Sequence, residues 1–280
     1  MSLHPSAPLT APGLARCCVI KLGGSLITSF ASHDNATPEL NHRLVIACAN
    51  EIAESSQPVI VLHGTGTFGK PPALKYGYMD GRLGRERRAV VAEVSCHLAQ
   101  MEASVLVCLQ AAGLHPFRLP LVGLARCVGA GVKLTGMALV TDLLVRGMTP
   151  LIGGNFVLNE DGFIVYSSDN IAVDLAIAMQ ADSLVFATSA HGVYRNFGRD
   201  EEIFSHLCRS DVASIDSVDA AAHDVSGGMR RKIVTGLRAA QQGIPTFIVD
   251  GRIPGNLSCA ISGTPLSGTQ LRADAAFVPV

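Results

Sequence analysis

Two apolar runs of strand length in this sequence each lead directly into a glycine-rich segment that contains a lysine. The first is residues 19–25 (VIKLGGS) and the second is residues 59–70 (VIVLHGTGTFGK). Because glycine has no side chain, its amide can approach phosphate oxygens closely, and a following helix N-terminus adds a favourable dipole. Neither segment has the spacing of a P-loop or of a dinucleotide-binding fingerprint. The pair indicates two halves of one anion site, the alternative being two ordinary strand-to-helix turns.

Apolar strand-like runs alternate with helix-like segments along most of the chain. The pattern predicts strands at 18–22, 59–62, 149–153, 183–187 and 245–250, a hairpin at 156–166, and a last strand that could return to the sheet edge at 277–280. It predicts helices at 41–55, 85–112, 136–146, 168–180 and 228–242. Such alternation favours an α/β fold, a mainly parallel sheet sandwiched by helices in an α/β/α arrangement.

Composition narrows the class of protein. Of the 280 residues, 48% are hydrophobic and 16% are charged, which allows a sizeable core and argues against disorder. The net charge is −1, so nothing indicates a nucleic-acid partner. The eight cysteines form no CxxC pair, which favours buried thiols in a reducing cytoplasm and fits no zinc pattern.

The ends and apolar runs of the chain predict its compartment. Residues 1–15 hold three prolines among small polar residues and are expected to be a flexible tail, without the apolar centre of a signal peptide. No apolar run is expected to reach membrane-spanning length. We therefore expect a cytoplasmic protein with no membrane partner.

In parallel sheets, ligands bind beyond the carboxyl ends of the strands. By the predicted strand ends, the two glycine-rich segments and residues 153–155, 167–169 and 188–190 all lie at that edge. Their convergence predicts a single active site.

Taken in order, these motifs resemble those of the amino acid kinase family, in the branch of isopentenyl phosphate kinases and fosfomycin kinases. The resemblance covers residues 19–269. It is carried by the segments IKLGGS (20–25), HGTGTFG (63–69), SDN (168–170), DVSGGMRRK (224–232), GRIPGNL (251–257) and GT (268–269).

The resemblance implies phosphoryl transfer from ATP, with Mg²⁺, to an oxygen of a small phosphorylated or phosphonate acceptor, with no covalent enzyme intermediate. Catalysis of this kind consists mainly of positioning and charge neutralisation. It also implies one kinase domain over residues 16–280, with an acceptor lobe at about 16–165 and a nucleotide lobe at about 166–280, and a homodimer. No metal-binding residues are predicted on the protein itself.

Three residues are predicted to be catalytic. Lys21 at the end of a strand and Lys232 near the start of a helix would contact the phosphates, and Asp169 would hold both lysines by charge pairing, as the family pattern implies. The alternative for Lys21 is a surface lysine whose ammonium group reaches solvent. For Lys232 it is a solvated basic face shared with the neighbouring arginines, and for Asp169 it is a simple helix cap.

Two further sets of residues are predicted to bind the substrates. The nucleotide set adds to the two lysines Gly23, Gly24, Ser25, Thr188, Gly192, Tyr194 and Gly228. The acceptor set is Gly64, Thr65, Gly66, Gly69, Lys70, Gly154, Asn155, Ser167 and Ser168.

The sequence also departs from the family pattern. Lys70 stands where both branches usually have a histidine, and Phe30 where they usually have a second lysine. Ser189 and His191 replace the two acidic residues of a TDxDG motif, and Asn155 replaces an aspartate. Lys75 and Arg82 are candidate substitutes for the missing cation.

Several functions fit this pattern. A kinase acting on isopentenyl phosphate is the first hypothesis, and a fosfomycin-type phosphonate kinase that would inactivate the antibiotic is nearly level with it. A non-catalytic sensor or binding module with the same fold is an alternative, motivated by the departures at Phe30, Ser189 and His191. A carboxylate kinase that acts on acidic acceptors is another.

Overall fold

The computed structural model describes residues 17–31, 37–78, 81–129, 131–195, 202–215, 228–264 and 267–274. Within them the strands are β1 Cys18–Leu22, β2 Thr28–Phe30, β3 Pro38–Leu40, β4 Val59–His63, β5 Arg82–Gly84, β6 Pro116–Arg118, β7 Ala125–Val128, β8 Gly131–Leu134, β9 Thr149–Gly153, β10 Asn155–Asn159, β11 Gly162–Tyr166, β12 Ser183–Thr188, β13 His206–Leu207, β14 Thr246–Asp250 and β15 Thr269–Leu271. The α-helices are α1 Gly24–Ile27, α2 His42–Ala53, α3 Gly66–Lys75, α4 Arg88–Ala111, α5 Leu121–Leu124, α6 Met137–Val145, α7 Ser168–Met179, α8 Gly228–Gln241 and α9 Asn256–Ile261. Short 3-10 helices cover Arg85–Arg87 and Arg209–Ser214.

Eight strands form one central sheet in the order β13-β15-β14-β12-β1-β4-β9-β6. All neighbours in it are parallel except β14 and β15. Smaller sheets join β10, β11 and β5, β2 with β3, and β7 with β8. The predicted α/β/α fold is confirmed. The central sheet spans the boundary between the two predicted lobes, and the assignment of each lobe to a substrate stays a prediction.

Alternate residues of β1 face opposite helical layers. Val19 packs in the apolar cluster that contains Ile171 of α7 and residues of α8, whereas Ile20 packs with Val45 of α2 and residues of α4. Because side chains alternate along a strand, Lys21 lies on the same face as Val19. The Lys21 side chain therefore lies on the face of the sheet that α7 and α8 cover.

One row of residues crosses the carboxyl edge of the sheet. In register, Ala187 of β12 lies beside Leu22 of β1, Leu22 beside His63 of β4, and His63 beside Gly153 of β9. The chain leaves all these strands within one residue of this row. The loops that the sequence predicts to converge therefore do begin side by side.

The two glycine-rich segments contact each other through their backbones. A Cβ atom on Gly24 would lie 2.4 Å from the amide nitrogen of Gly66, and one on Gly64 would lie 2.5 Å from the amide nitrogen of Gly24. A Cβ on Gly66, whose φ is +44°, would lie 1.9 Å from Oγ1 of Thr28. These three positions therefore need glycine because the loops are packed without space for side chains.

The segment after β4 differs from the prediction. The sequence indicates a glycine-rich loop over residues 63–69, but helix α3 begins at Gly66 and continues through Pro71 and Pro72. Its Phe68 packs against an apolar cluster that includes Tyr78. Glycine and proline disfavour helices, so this tertiary contact overrides a low local propensity.

The other predicted strands and helices are present, with ends shifted by at most a few residues. The sequence missed short elements: α1, α5, α9 and the strands β2, β3, β5, β7, β8, β13 and β15. The predicted tail at 1–15, the strand at 277–280 and the motif residues 224–227 lie outside the described residues.

The expectation that no segment is long and apolar enough to span a membrane was wrong. The helical stretch Arg85–Ala111 meets that test by length and composition, as the core helix of a soluble protein also can. Here α4 packs against α2, α3 and β6, and it carries the buried carboxylate of Glu102. Gly113, with φ of +87°, follows its end as the sequence predicts.

Candidate active site

Lys21, Asp169 and Lys232 meet in the structure. The Nζ atom of Lys21 lies 2.8 Å from Oδ1 of Asp169. The Nζ atom of Lys232 donates to both oxygens of the same carboxylate, at 3.0 and 2.9 Å. Residues that are far apart in the sequence thus form one ion cluster.

Three elements position this cluster. Lys21 is on β1, Asp169 is in the first turn of α7, and Lys232 is in the second turn of α8. Lys21 and Lys232 are 5% and 8% exposed, which excludes the surface-lysine alternative for both. Nζ of Lys232 also lies 5.0 Å from the ring centroid of Phe186, a favourable position for a cation.

The cluster holds two ammonium groups and one carboxylate. Burial would raise the pKa of Asp169, but Lys21 and Lys232 outweigh it and hold that pKa well below its ordinary value. Burial lowers the pKa of Lys232 to about 8, although Asp169 acts in the opposite direction, and Lys21 adds to the lowering. The site is therefore short of negative charge, and an anion would complete it.

Not every amide of the first glycine segment is available to an anion. The Gly23 amide donates to the Ala187 carbonyl at 2.8 Å, so the expectation that it donates to phosphate does not hold in this structure. Gly24 and Ser25 lie in the first turn of α1, where amides have no acceptor within the helix.

In the second glycine segment, too, one of the predicted anion-binding amides already has an acceptor within the protein. The amide of Gly64 donates to the carbonyl of Leu22 at 2.9 Å. Thr65 is the N-cap of α3, and a Cβ on Gly69 would lie 2.2 Å from the Thr65 hydroxyl oxygen. These residues shape the acceptor loop, and their contact with an acceptor stays a prediction.

The start of α7 closes the site from one side. The Ser167 hydroxyl accepts from the amide of Asn170 at 3.3 Å and so caps the helix. A Cβ on Gly154 would lie 2.9 Å from the amide nitrogen of the buried Ser168. The Oδ1 atom of Asn155 accepts from the next amide in the chain at 2.8 Å.

The predicted nucleotide residues beyond β12 hold a turn together. The Thr188 hydroxyl lies 3.0 Å from the Ala190 carbonyl and 3.2 Å from the Val249 carbonyl, so it has a structural role. A Cβ on Gly192 would lie 2.8 Å from the Thr269 hydroxyl oxygen. Tyr194 forms an isolated β-bridge, and Gly228, with φ of +41°, begins α8.

His191 occupies the acidic position of the family motif, and it faces a carboxylate. Its Nδ1 atom lies 3.1 Å from Oδ2 of Asp250, which is fully buried. Arg252 binds the same carboxylate through two nitrogens, at 2.9 and 2.7 Å. Burial alone would raise the pKa of Asp250, but Arg252 and His191 hold it below its ordinary value.

The departures on the acceptor side lie around α3. Lys70 is a half-buried residue of this helix. Phe30 is 41% exposed on β2, next to Ser29, whose carbonyl accepts from the Thr67 hydroxyl at 3.0 Å. The side chain of Lys75 is 68% exposed and lies 4.0 Å from Glu93, which does not support it as a substitute cation.

Little in the sequence indicated a buried polar group behind the predicted acceptor loop. His63, fully buried, faces Glu102 of α4, and Glu102 also accepts from Arg118 of β6. The one signal in the sequence was an acidic residue within the apolar stripe of the long helix.

The site offers no cluster of metal ligands within the described residues. Its nearby carboxylates are already paired, Asp169 with two lysines and Asp250 with Arg252.

Known proteins share this architecture. The chain is 26% identical over 268 residues to the isopentenyl phosphate kinase of Methanothermobacter thermautotrophicus, covering 90% of this chain and 98% of that protein. It is 28% identical to the glutamate 5-kinase of Methylobacillus flagellatus, covering 92% of this chain and 68% of that protein. A crystal structure of isopentenyl phosphate kinase superposes with a TM-score of 0.76 at 24% identity, covering 91% of this chain and 99% of the other.

The sequence of residues 16–250 matches the amino acid kinase family. The match contains β1, both glycine-rich segments and all three members of the ion cluster. The resemblance that the motifs indicate is confirmed at this level, and the chain belongs to the amino acid kinase family.

Proposed function

We propose that this kinase transfers the γ-phosphoryl group of ATP to the phosphate or phosphonate group of a small metabolite, with isopentenyl phosphate as the first candidate. The observation that carries the proposal is the buried cluster of Lys21, Asp169 and Lys232. Similarity to an isopentenyl phosphate kinase over nearly the whole of both chains supports the choice of acceptor.

The charges of the cluster suit phosphoryl transfer. Charge spreads over the oxygens of the migrating phosphoryl group, and fixed cations stabilise it. Asp169 keeps the ammonium groups of Lys21 and Lys232 close together, although like charges repel. Since its pKa is held low, Asp169 stays ionised and serves to orient the lysines rather than to accept a proton.

The surroundings of α3 support an acceptor with a hydrocarbon tail. Phe68 of this helix packs on an apolar cluster formed by α4 and the small sheet, with Tyr78, Val94, Leu98 and Phe156 among its buried members. Phe68 and Ala73 of α3 are only partly buried against this cluster. Apolar side chains with accessible surface beside the predicted acceptor loop favour an isoprenoid chain over a more polar group.

A phosphonate of the fosfomycin type is the second candidate. It is favoured by the changed charges near the acceptor loop, with an exposed Phe30 and with Lys70 on α3. A lysine there neutralises charge as a flexible ammonium, without the tunable proton of an imidazole.

Mg²⁺, a homodimer and a cytoplasmic location complete the proposal. Mg²⁺ would arrive with the triphosphate and neutralise part of its charge. The exposed side chains of Val107 on α4 and Phe117 on the edge strand β6 are 63% and 46% accessible and support an interface with a second copy. Light scattering would measure the oligomeric state.

An assay of ADP release would test the proposed activity. Purified protein with ATP and Mg²⁺ should release ADP with isopentenyl phosphate, and fosfomycin, glutamate and acetylglutamate would be tried beside it. Lys21→Ala should abolish turnover, while Lys133→Ala, which removes an exposed lysine of β8, should not. Turnover only with the acidic amino acids would make the protein a carboxylate kinase. A folded protein that binds ATP without any turnover would support the non-catalytic alternative.

A further inference from the structure

His63 is a buried histidine whose two ring nitrogens both face oxygen atoms. It is the last residue of β4, directly before the acceptor loop, and it is fully buried. Its Nδ1 atom lies 3.2 Å from the carbonyl oxygen of Gly64, and its Nε2 atom lies 3.6 Å from Oε1 of Glu102. A carbonyl oxygen can only accept a hydrogen bond, so Nδ1 donates to Gly64, whereas Nε2 has no hydrogen-bond partner among the described residues.

Glu102 is the carboxylate that faces the His63 ring. It is 4% exposed, and its second oxygen accepts from Nε of Arg118, whose side chain reaches the surface. Burial would raise the pKa of Glu102, but His63 and Arg118 outweigh it and keep this pKa below the ordinary value. Glu102 is therefore ionised and lies between His63 of β4 and Arg118 of β6.

The neighbouring strand leaves space for this contact. His63 pairs in register with Gly153 of β9, and a Cβ atom on Gly153 would lie 2.6 Å from both Nε2 of His63 and Oε1 of Glu102. The carbonyl of His63 also accepts from the amide of Gly154 at 3.3 Å. One residue thus contacts Gly64 through its ring and Gly154 through its backbone, and both glycines belong to the predicted acceptor set.

We propose that His63, held by Glu102, is a positioning residue that fixes the orientation of the Gly64 peptide and so aims the acceptor loop at its anion. The ring donates to the Gly64 carbonyl, and this contact holds the peptide plane that precedes Thr65 and Gly66. His63 itself touches neither substrate. This inference rests on the proposed function, because it assigns the residue to the acceptor rather than to the nucleotide.

A purely structural role would not need a polar pair. An apolar pair of similar volume is often as stable as buried polar partners. The ring is suited instead to orienting a polar backbone atom, since its Nδ1 atom lies within hydrogen-bond distance of the Gly64 carbonyl oxygen.

Two substitutions separate the contacts of the ring. In His63→Asn the side-chain amide nitrogen takes the place of Nδ1 and can still donate to Gly64. In His63→Gln the longer side chain places its amide nitrogen at the position of Nε2, where it faces Glu102. Hydrogen exchange followed by mass spectrometry would measure the backbone amides of residues 64–69. Exchange there should be about tenfold faster in His63→Gln than in the wild type, and within about threefold of the wild type in His63→Asn. Equal exchange in all three proteins would overturn the inference.

Kinetics give the second measurement. In His63→Gln the KM for the acceptor should rise about tenfold while the KM for ATP changes less than about twofold; a general loss of folding would not show this division. If His63→Gln does not fold, Glu102→Gln replaces it, and it should also raise exchange in residues 64–69; unchanged exchange there contradicts the inference. A wild type without turnover would refute the proposed function, and the exchange experiment would still decide the role of His63.

Discussion

Asp169 accepts hydrogen bonds from Lys232 through both of its carboxylate oxygens, at 3.0 and 2.9 Å. The same carboxylate also pairs with Lys21, whose Nζ atom lies 2.8 Å from Oδ1. Three charged groups in a nearly buried space make each one dependent on the others, so removing a single member has effects that an exposed ion pair would not show.

Asp169→Asn is expected to reduce kcat by at least about a hundredfold, because two buried ammonium groups would repel each other without their common partner. Steady-state assays would measure the loss, and thermal unfolding would show whether stability falls with it. Asp174→Asn is the matched control, since it removes another α7 carboxylate, whose Arg238 partner is half exposed. An equal loss of kcat in both variants would mean that the effect is general to α7.

The activity should decline on the alkaline side as Lys232 loses its proton. Burial lowers the pKa of this group to about 8, although Asp169 opposes it, with Lys21 adding to the lowering. The plot of kcat/KM for ATP against pH, which reports the free enzyme, should therefore fall above about pH 8. Lys232→Arg keeps its charge and should remove this decline even if its maximal rate is lower.

Folding stability should rise with pH over the range in which activity falls, because both depend on the same proton of Lys232. The pKa of Lys232 is about 8 in the folded protein against 10.5 for an ordinary lysine. Between these values the unfolded chain binds more protons, so the contribution of this group to the free energy of unfolding rises with pH. Denaturant titrations at pH 8 and 9.5 would show which effect causes the alkaline loss of activity. If the free energy of unfolding fell together with activity, unfolding rather than loss of the Lys232 charge would be the cause.

The sequence predicted five strands of the central sheet, β1, β4, β9, β12 and β14, because their apolar patterns are local. It also predicted that the two glycine-rich segments belong together, since the strands before them are parallel and end at one edge. The contact of His63 with Glu102 could not be predicted in this way, because register and helix packing bring the two residues together. Helix α3 was missed for a related reason. Its glycines and prolines disfavour a helix, and the packing of Phe68 on an apolar cluster stabilises it.

Three glycine substitutions should separate close packing from backbone strain. In Gly66→Ala the new Cβ would lie 1.9 Å from Oγ1 of Thr28, and φ is +44°. We therefore expect the free energy of unfolding to fall by more than about 2 kcal/mol, and activity to be lost. In Gly77→Ala φ is +65° but nothing lies within 4 Å, so only about 1 kcal/mol should be lost. Gly123→Ala has neither problem and should be nearly neutral. Urea denaturation would rank the three, and any other order would contradict the packing of the two loops.

Restoring the acidic residue of the family motif at position 191 should not improve the protein. His191 lies 3.1 Å from the buried carboxylate of Asp250, so His191→Asp would place two negative charges together. Since position 191 is partly exposed, the expected loss is about 0.5–1 kcal/mol, with no decrease in the KM for ATP. His191→Asn removes the imidazole without adding a negative charge, so its stability should lie between those of the wild type and His191→Asp. A lower KM for ATP in His191→Asp would show instead that the nucleotide needs an acidic residue at this position.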